Sequence, residues 1–429
     1  MNPLNRGNVR CFWNQYIASR RIVVAMLALG VSTFACSQRP VIPGQDVQHD
    51  AIHSYLQVLV DNHTVAGAVT LVATRDRTVY LQSVGFRDLA ARAPMPPDAL
   101  FWIASVSKPM TAAALMMLVD DGKVNLNDPV EKYLPEFKGQ MVRVVRDSSA
   151  RGARGESGPQ SDSQLVPADH PILVREILSH TSGLPFRSAA QPGALDLLPL
   201  KDAVRSFAAE PLRFQPGAQY LYSNEGLDTA ARIIEVVTGI SYERFMQERL
   251  FDPLDMVDTT FWPNADQIGR LAKSYKLDKL TGNLVEVPID QLTYPLDDKQ
   301  RRYPVPAGGI FSTAHDVARF CQMILNEGTL DGKRYISARA VREMTSEQNG
   351  GKNGASYGFG WDTSSASFGH SGAYKNAVNI DPVAGCILVF MVQQSGPWGT
   401  KDGDTMVPTL ERLANEMVTS LPQQNPISK

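Results

Sequence analysis

Four cysteines in 429 residues are few. Cys321 and Cys386 sit in apolar runs that predict a helix and a strand, so they read as buried small hydrophobes rather than parts of a disulfide framework. No cysteine–histidine spacing matches a zinc site, and no cofactor or metal is expected. An excess of charge is also missing. The 42 basic and 44 acidic residues leave a formal net charge of -2, which gives nucleic acid no footing. The apolar run Ile22 to Val31 is too short for a permanent membrane span, and no internal repeat is evident. What is present, 43% hydrophobic and 20% charged residues, is ordinary globular material with enough length for two or three domains.

The N-terminus stands apart. Residues 1–35 carry Arg6, Arg10, Arg20 and Arg21 and no acid, then the apolar run, then Ser32-Thr33-Phe34-Ala35 before Cys36. A basic stretch, a short apolar core and small residues make a secretory signal. Cys36 stands where a lipoprotein signal places its acylated cysteine. The expectation is therefore a protein carried across the inner membrane, either free in the periplasm or held at a membrane surface through a lipidated Cys36.

Asp46 to Asp61 has the pattern of an amphipathic helix. The runs Ala68–Thr74 and Thr78–Val84 predict a hairpin around Arg75-Asp76-Arg77. From Ser105 to about Asn326 the signals are mainly helical: Ser107–Asp121, Leu173–Ser179, Lys201–Glu210, Glu225–Thr238 and Tyr242–Leu250. Strand patterns return at Gly358–Asp362, Asn376–Ile380 and Cys386–Val392, and a helix at Thr405–Ser420 ends the chain. The fold class expected is α/β of the α+β type. An antiparallel sheet, flanked by N- and C-terminal helices, takes residues 46–100 and 340–420, and a mainly helical domain at 101–339 is inserted between its halves. Within that insertion, 139–170 reads as a flexible segment because Ser, Gly, Arg and Asp dominate it.

Three short constellations could carry chemistry. Ser105-Val106-Ser107-Lys108 precedes Pro109 and an apolar helix, which puts Ser105 at a helix N-terminus and Lys108 one turn on, on the same face. Burial of that helix would lower the lysine pKa, and the helix N-terminus points N–H groups at the serine. The bland alternative is a capping serine and a surface lysine. Tyr222-Ser223-Asn224 precedes the helix from Glu225; Tyr222 could shuttle a proton if a neighbouring ammonium lowered its pKa, or Asn224 could simply cap. His370-Ser371-Gly372 enters a late strand, where Gly372 would let a ligand backbone approach, or it is an ordinary turn.

Taken in order, Ser105-x-x-Lys108, Tyr222-x-Asn224 and His370-x-Gly372 resemble the three-motif set of the penicillin-binding serine hydrolases. Within these the chain resembles the group of class C β-lactamases, family VIII carboxylesterases and D-Ala-D-Ala carboxypeptidases. The stretches Ile177 to Pro185, Pro216-Gly217 and Gly308 to Thr313 add to the likeness, which runs from about Ile52 to Val392. The resemblance implies that Ser105 attacks an acyl carbonyl, that Lys108 and Tyr222 share the proton transfer, and that Asn224 orients Lys108 and the substrate. It also implies that the N–H groups of Ser105 and Ala373 form an oxyanion hole. The implied partner is a small acyl substrate: an ester, a β-lactam or a D-Ala peptide.

Two departures matter. The third motif opens on His370 where β-lactamases of this group have lysine, which shifts the expectation toward esterase or peptidase-like chemistry; Lys375 could restore a charge. The segment 139–170 also looks longer than usual for the family. A non-catalytic sensor lipoprotein that keeps the fold is the second reading. A third is an α/β-hydrolase using Ser356, because Gly354-Ala355-Ser356-Tyr357-Gly358 matches that nucleophile motif without its strand and helix context. His180 and His315 are expected to be structural or capping residues.

Overall fold

Val69, Leu71 and Ala73 alternate with Ala68, Thr70 and Val72 along the strand Gly67–Ala73 (β1), and all six are buried. A strand buried on both faces reads as a continuous apolar run, and such a strand sits at the centre of a sheet. A computed structural model of the chain describes residues 45–145, 163–398 and 401–422. The expected signal 1–35, Cys36 and most of the polar run 147–164 lie outside the described residues.

β1 pairs on one side with Thr78–Asp88 (β2), which continues to Ala93–Pro94 (β3). The connecting turn is held by Thr74, whose N–H donates to Arg77 O at 2.8 Å. On its other side β1 meets strands from the far end of the chain: Phe368–Ser371 (β4), Ala377–Asp381 (β5) and Cys386–Met391 (β6). The sheet order is β4-β5-β6-β1-β2-β3, with every neighbour antiparallel. Register sets the faces: Leu71 pairs with Val389 and Val72 with Leu388.

One face, carrying Val72, Leu388 and Phe390, packs on Gln45–Asp61 (α1) and on the C-terminal helix, through Ile52, Leu56, Leu410 and Met417. The other face, carrying Leu71, Val389 and Met391, packs into the larger core of the helical region. At the heart of that core is Ser107–Asp120 (α2), in which every residue from Ser107 to Leu118 is buried. Its neighbours include Asn224–Thr238 (α3), while Ala314–Leu325 (α4) lies against β1 and β6. Gly239 ends α3 in the left-handed region at φ 73°. A fully buried helix cannot be amphipathic, so its apolar residues run all round it.

Three expectations are corrected. The segment 139–170 is not irregular throughout. Met141–Val145 and Ser163–Pro167 form an antiparallel hairpin, because Val142 and Val166 pair and pack on the helical core. Gly358–Asp362 is a turn rather than a strand: Gly358 N–H donates to Trp361 O at 2.8 Å, and Gly360 takes φ +80°. A Cβ on Gly360 would stand 2.9 Å from Lys108 O and from Ala112 Cβ, so this turn is pressed against α2. The helix from Tyr242 turns π-helical over Gln247–Phe251.

Candidate active site

The route into the site is a short pairing of Phe101–Trp102 with Phe311–Ser312. Trp102 is held on both sides: its Nε1–H donates to Gly308 O at 2.7 Å, and its carbonyl accepts from Asn376 Nδ2 at 2.9 Å. The chain then bends sharply. Ala104 has φ +46°, a left-handed conformation that costs a non-glycine residue about 1 kcal/mol or more. Ala104–Val106 form a single 3₁₀ turn that leads into α2. Ser105 therefore lies on the turn that opens the helix, at its N-terminus as expected.

Gly372 shows why a glycine follows the third motif's first residues. A Cβ there would lie 2.6 Å from Ile103 O and 3.4 Å from Ala104 Cβ. The backbone leaving β4 thus runs against the strained turn that carries Ser105, and Gly372 and Ala373 line the same cleft as the serine.

Lys108 is completely buried beneath Ser105. Its Nζ donates to Ser105 Oγ at 2.9 Å, to Asn224 Oδ1 at 2.8 Å and to Ala307 O at 2.7 Å. Burial pulls its pKa down to about 7, opposed by the negative charge of Asp228. Two of its three partners are carbonyl oxygens, which can only accept. A neutral amine has two N–H bonds and one lone pair. Once Lys108 loses a proton, its lone pair therefore faces Ser105 Oγ.

Tyr222 lines the cleft with its phenol toward the Ser105 hydroxyl, and its ring centroid lies 4.8 Å from Lys108 Nζ. Burial pushes its pKa above the ordinary range, and the Ser105 hydroxyl offsets only part of that. Burial dominates, the Lys108 ammonium does not bring the lowering that was expected of it, and Tyr222 is a neutral phenol. His180 holds this corner. It is buried, takes φ 59°, and its Nδ1 accepts from Ser223 N–H at 3.2 Å. Its ring stands 4.6 Å from both Tyr222 and Tyr357.

His370 is buried on β4. Its Nδ1 must carry hydrogen, because it faces a carbonyl, Ser371 O, at 2.9 Å. Its Nε2 is then an acceptor for Tyr357 Oη–H at 2.9 Å. Burial, with the Lys108 charge in support and the Ser371 bond in opposition, brings its pKa down to about 3. It is thus neutral in ordinary buffers. Lys375, a possible substitute charge in the sequence, instead places its ammonium 5.2 Å from the Trp398 ring centroid, and it does not line the cleft.

The cleft has a volume of about 600 Å³ and opens over Ser105. Trp102, Phe186, Leu195 and Tyr220 give it an apolar side; Ser365, Ser367 and Asn379 give it a polar one. Ser356 lies apart from it. Its hydroxyl pairs with Thr363 Oγ1 at 2.8 Å ahead of a turn, so the strand and helix that its motif requires are not there. His315, exposed on the first turn of α4, lies 3.5 Å from the Asp316 carboxylate.

Three site residues escaped the sequence reading. Ala307 supplies a carbonyl, which no side chain advertises. Tyr357 was masked by the decoy motif around Ser356. Asp228 is one helical turn beyond Asn224 on α3, and that spacing was the signal that could have found it.

The Beta-lactamase family profile matches residues 52–408. The chain belongs to this family, and with it to the penicillin-binding serine hydrolases. It is similar to protein Rv1367c of Mycobacterium tuberculosis, at 32% identity over 380 residues, covering 80% of this chain and 90% of that protein. It is also similar to the lovastatin esterase of Penicillium rubens, at 30% identity over 217 residues, 48% of this chain and 51% of the esterase. Among solved structures, EstCE1, a hydrolase with promiscuous acyltransferase activity, superposes with a TM-score of 0.68 at 21% identity, covering 88% of this chain and 99% of EstCE1. The fold is thus shared over 88% of this chain.

Proposed function

We propose that the protein is a serine hydrolase that works through a Ser105 acyl-enzyme on small, uncharged esters. The observation that carries this is the wiring of Lys108: 2.9 Å from Ser105 Oγ, with its other two donors taken by carbonyls. Ester chemistry over β-lactam or D-Ala peptide chemistry is supported by His370, a neutral imidazole where a lysine would anchor a substrate carboxylate. The likeness to a lovastatin esterase supports the same choice.

In this reading the Ser105 hydroxyl proton passes to Lys108 Nζ as Oγ bonds to the acyl carbon. Ser105 N–H and Ala373 N–H take up the oxyanion. The proton then reaches the leaving alcohol through Tyr222, whose high pKa suits a relay rather than a resting base. Asn224 holds the amine in line. Water releases the acyl group by the reverse path, with Lys108 again taking the proton. The reading extends to location: residues 1–35 direct export and Cys36 is acylated, so a signal-peptidase II inhibitor should cause the precursor to accumulate.

The test is turnover of p-nitrophenyl butyrate and of nitrocefin by wild type, Ser105→Ala and Ser356→Ala. Butyrate hydrolysis should vanish in Ser105→Ala and persist in Ser356→Ala, with nitrocefin a poor substrate throughout. Full activity in Ser105→Ala would sink the proposal. A stable acyl adduct without turnover would make the protein a sensor instead.

A further inference from the structure

Asp228 is buried beneath the candidate nucleophile, and no motif of the sequence includes it. Its Oδ1 accepts the Ala307 N–H at 2.9 Å. The carbonyl of that same residue, Ala307, accepts from Lys108 Nζ at 2.7 Å. One residue, Ala307, is thus clamped at both its amide and its carbonyl, by the carboxyl and by the amine. Asn224, one turn earlier on the same helix, accepts from Lys108 directly.

The other polar groups around this pair leave Asp228 as its acidic member. Facing Lys108 are Asn224 from α3, Tyr222 from the segment before it, His370 from β4 and His180 from the loop after the Val174–Leu178 helix. Both histidines are buried and neutral, and Tyr222 is held as a phenol. Facing Asp228 are Lys108, Tyr242, Tyr303 and Glu225. The two tyrosines and Glu225 are all pushed toward their neutral forms by burial, which also pushes Asp228 up to about 7, opposed by its Ala307 bond and by the Lys108 charge that holds it as a carboxylate.

We propose that Asp228 is a positioning residue for the amine at Ser105: through Ala307 it fixes where Lys108 points, and its carboxylate is the counter-charge for the ammonium that forms when Ser105 attacks. This rests on the hydrolase reading given above. In that step the Ser105 Oγ–H bond breaks and the Lys108 lone pair takes the proton, while Oγ bonds to the acyl carbon and the carbonyl π pair moves onto its oxygen. The buried ammonium left behind then has a charged partner in Asp228, as well as three oxygen acceptors. Without that partner, the positive charge would form in an apolar setting at high cost.

The experiment is the pH profile of Ser105 labelling by a fluorophosphonate probe, over about pH 5 to 9, with Ser105→Ala as the blank. Asp228→Asn keeps the acceptor for Ala307 N–H and removes only the charge. Its acidic midpoint should fall by about one pH unit, because the Asp228 charge raises the lysine pKa. Its plateau rate should fall by about ten-fold. With p-nitrophenyl butyrate, kcat should drop while KM stays within about two-fold. Asp228→Glu, which restores the charge, should return the midpoint to the wild-type value. An unmoved midpoint in folded Asp228→Asn overturns the inference. So does the failure of both variants to fold, since Asp228 would then be a packing group. If wild type is not labelled at Ser105, the hydrolase reading itself fails; labelling with an unmoved midpoint removes only the role of Asp228.

Discussion

Replacing Glu225 by glutamine should stabilise the protein, and increasingly so as pH rises. Glu225 follows Asn224 on the first turn of α3, and it is only 1% exposed. Both of its carboxyl oxygens are buried without a hydrogen-bond partner. Burial, reinforced by the nearby Glu210 and Asp228 and only partly countered by Arg213, pushes its pKa from 4.5 up to about 9. The sign follows from linkage. The folded state holds the proton and the unfolded state releases it above pH 4.5, so the unfolded state gains between these two values. At pH 7 the gap is roughly 2.5 pH units, at about 1.4 kcal/mol each, or about 3 kcal/mol. Glutamine has the shape of the neutral acid and cannot ionise, so Glu225→Gln removes this penalty. Urea unfolding of the two proteins at several pH values reads it out. Near pH 5 their stabilities should differ by less than about 1 kcal/mol, and the difference should grow by about 1.4 kcal/mol per pH unit toward pH 9. A difference that does not change with pH, or a variant less stable than wild type at pH 7, would refute the reasoning, because Glu225 would then be charged and paired.

Other expectations follow from the same geometry. Tyr357→Phe strips the donor from His370 Nε2 and leaves a buried acceptor unpaired, so it should cost about 1–3 kcal/mol of stability in thermal or urea unfolding. Its ester turnover should fall while Ser105 labelling survives, and loss of labelling would place Tyr357 in the proton path instead. Gly360→Ala would push a methyl toward Lys108 O and Ala112 in a left-handed backbone; a loss of more than about 1 kcal/mol is expected, with kcat falling at unchanged KM. Arg302 is fully buried, donates to the carbonyls of Phe261, Leu296 and Gly309, and approaches Asp196 to 3.8 Å. Arg302→Ala strands that carboxylate and should cost about 3–5 kcal/mol, seen as a lowered unfolding midpoint. An unchanged midpoint would count against any stabilising role for the Arg302–Asp196 approach.

The strands Thr78–Val84 and Cys386–Val392 were legible because apolar runs bounded by turn residues admit few other readings, and α2 because an apolar run behind Pro109 has nowhere to go but a core. The order of the three motifs then gave the site its members. What escaped was whatever depends on tertiary approach. Gly358–Asp362 carries aromatic residues at strand-like spacing, yet Gly360 must meet the backbone of Lys108, and that contact makes it a turn. The hairpin arms Met141–Val145 and Ser163–Pro167 were hidden by the polar run between them. The position of Ser105 at the N-terminus of α2 was legible, but nothing local to Ala104 forecasts a left-handed alanine wedged against Gly372.

The electrical state of the site follows from its depth rather than from its residue types. By composition the ring around Ser105 holds a lysine, two histidines, an aspartate and a glutamate, which suggests a charged pocket. Burial reverses that impression. His370 and His180 are held neutral, Glu225 keeps its proton, Asp228 is pushed up to about 7, and Lys108 is brought to where it can lose a proton. Each of these shifts has desolvation as its largest cause, so each would shrink if water entered beneath Ser105. The floor beneath Ser105 thus carries little fixed charge; Arg187, beside Phe186, is the cation on the cleft's lining, and an apolar acyl chain against Trp102 or Phe186 is not penalised. Introducing the missing charge tests this directly. His370→Lys sets a second amine near Lys108, and it should lower ester turnover while improving nitrocefin hydrolysis by roughly ten-fold relative to it, about 1.4 kcal/mol of altered discrimination. If nitrocefin and ester turnover fall together in a folded variant, the neutral imidazole is not what sets the preference, and the walls of the cleft must do so instead.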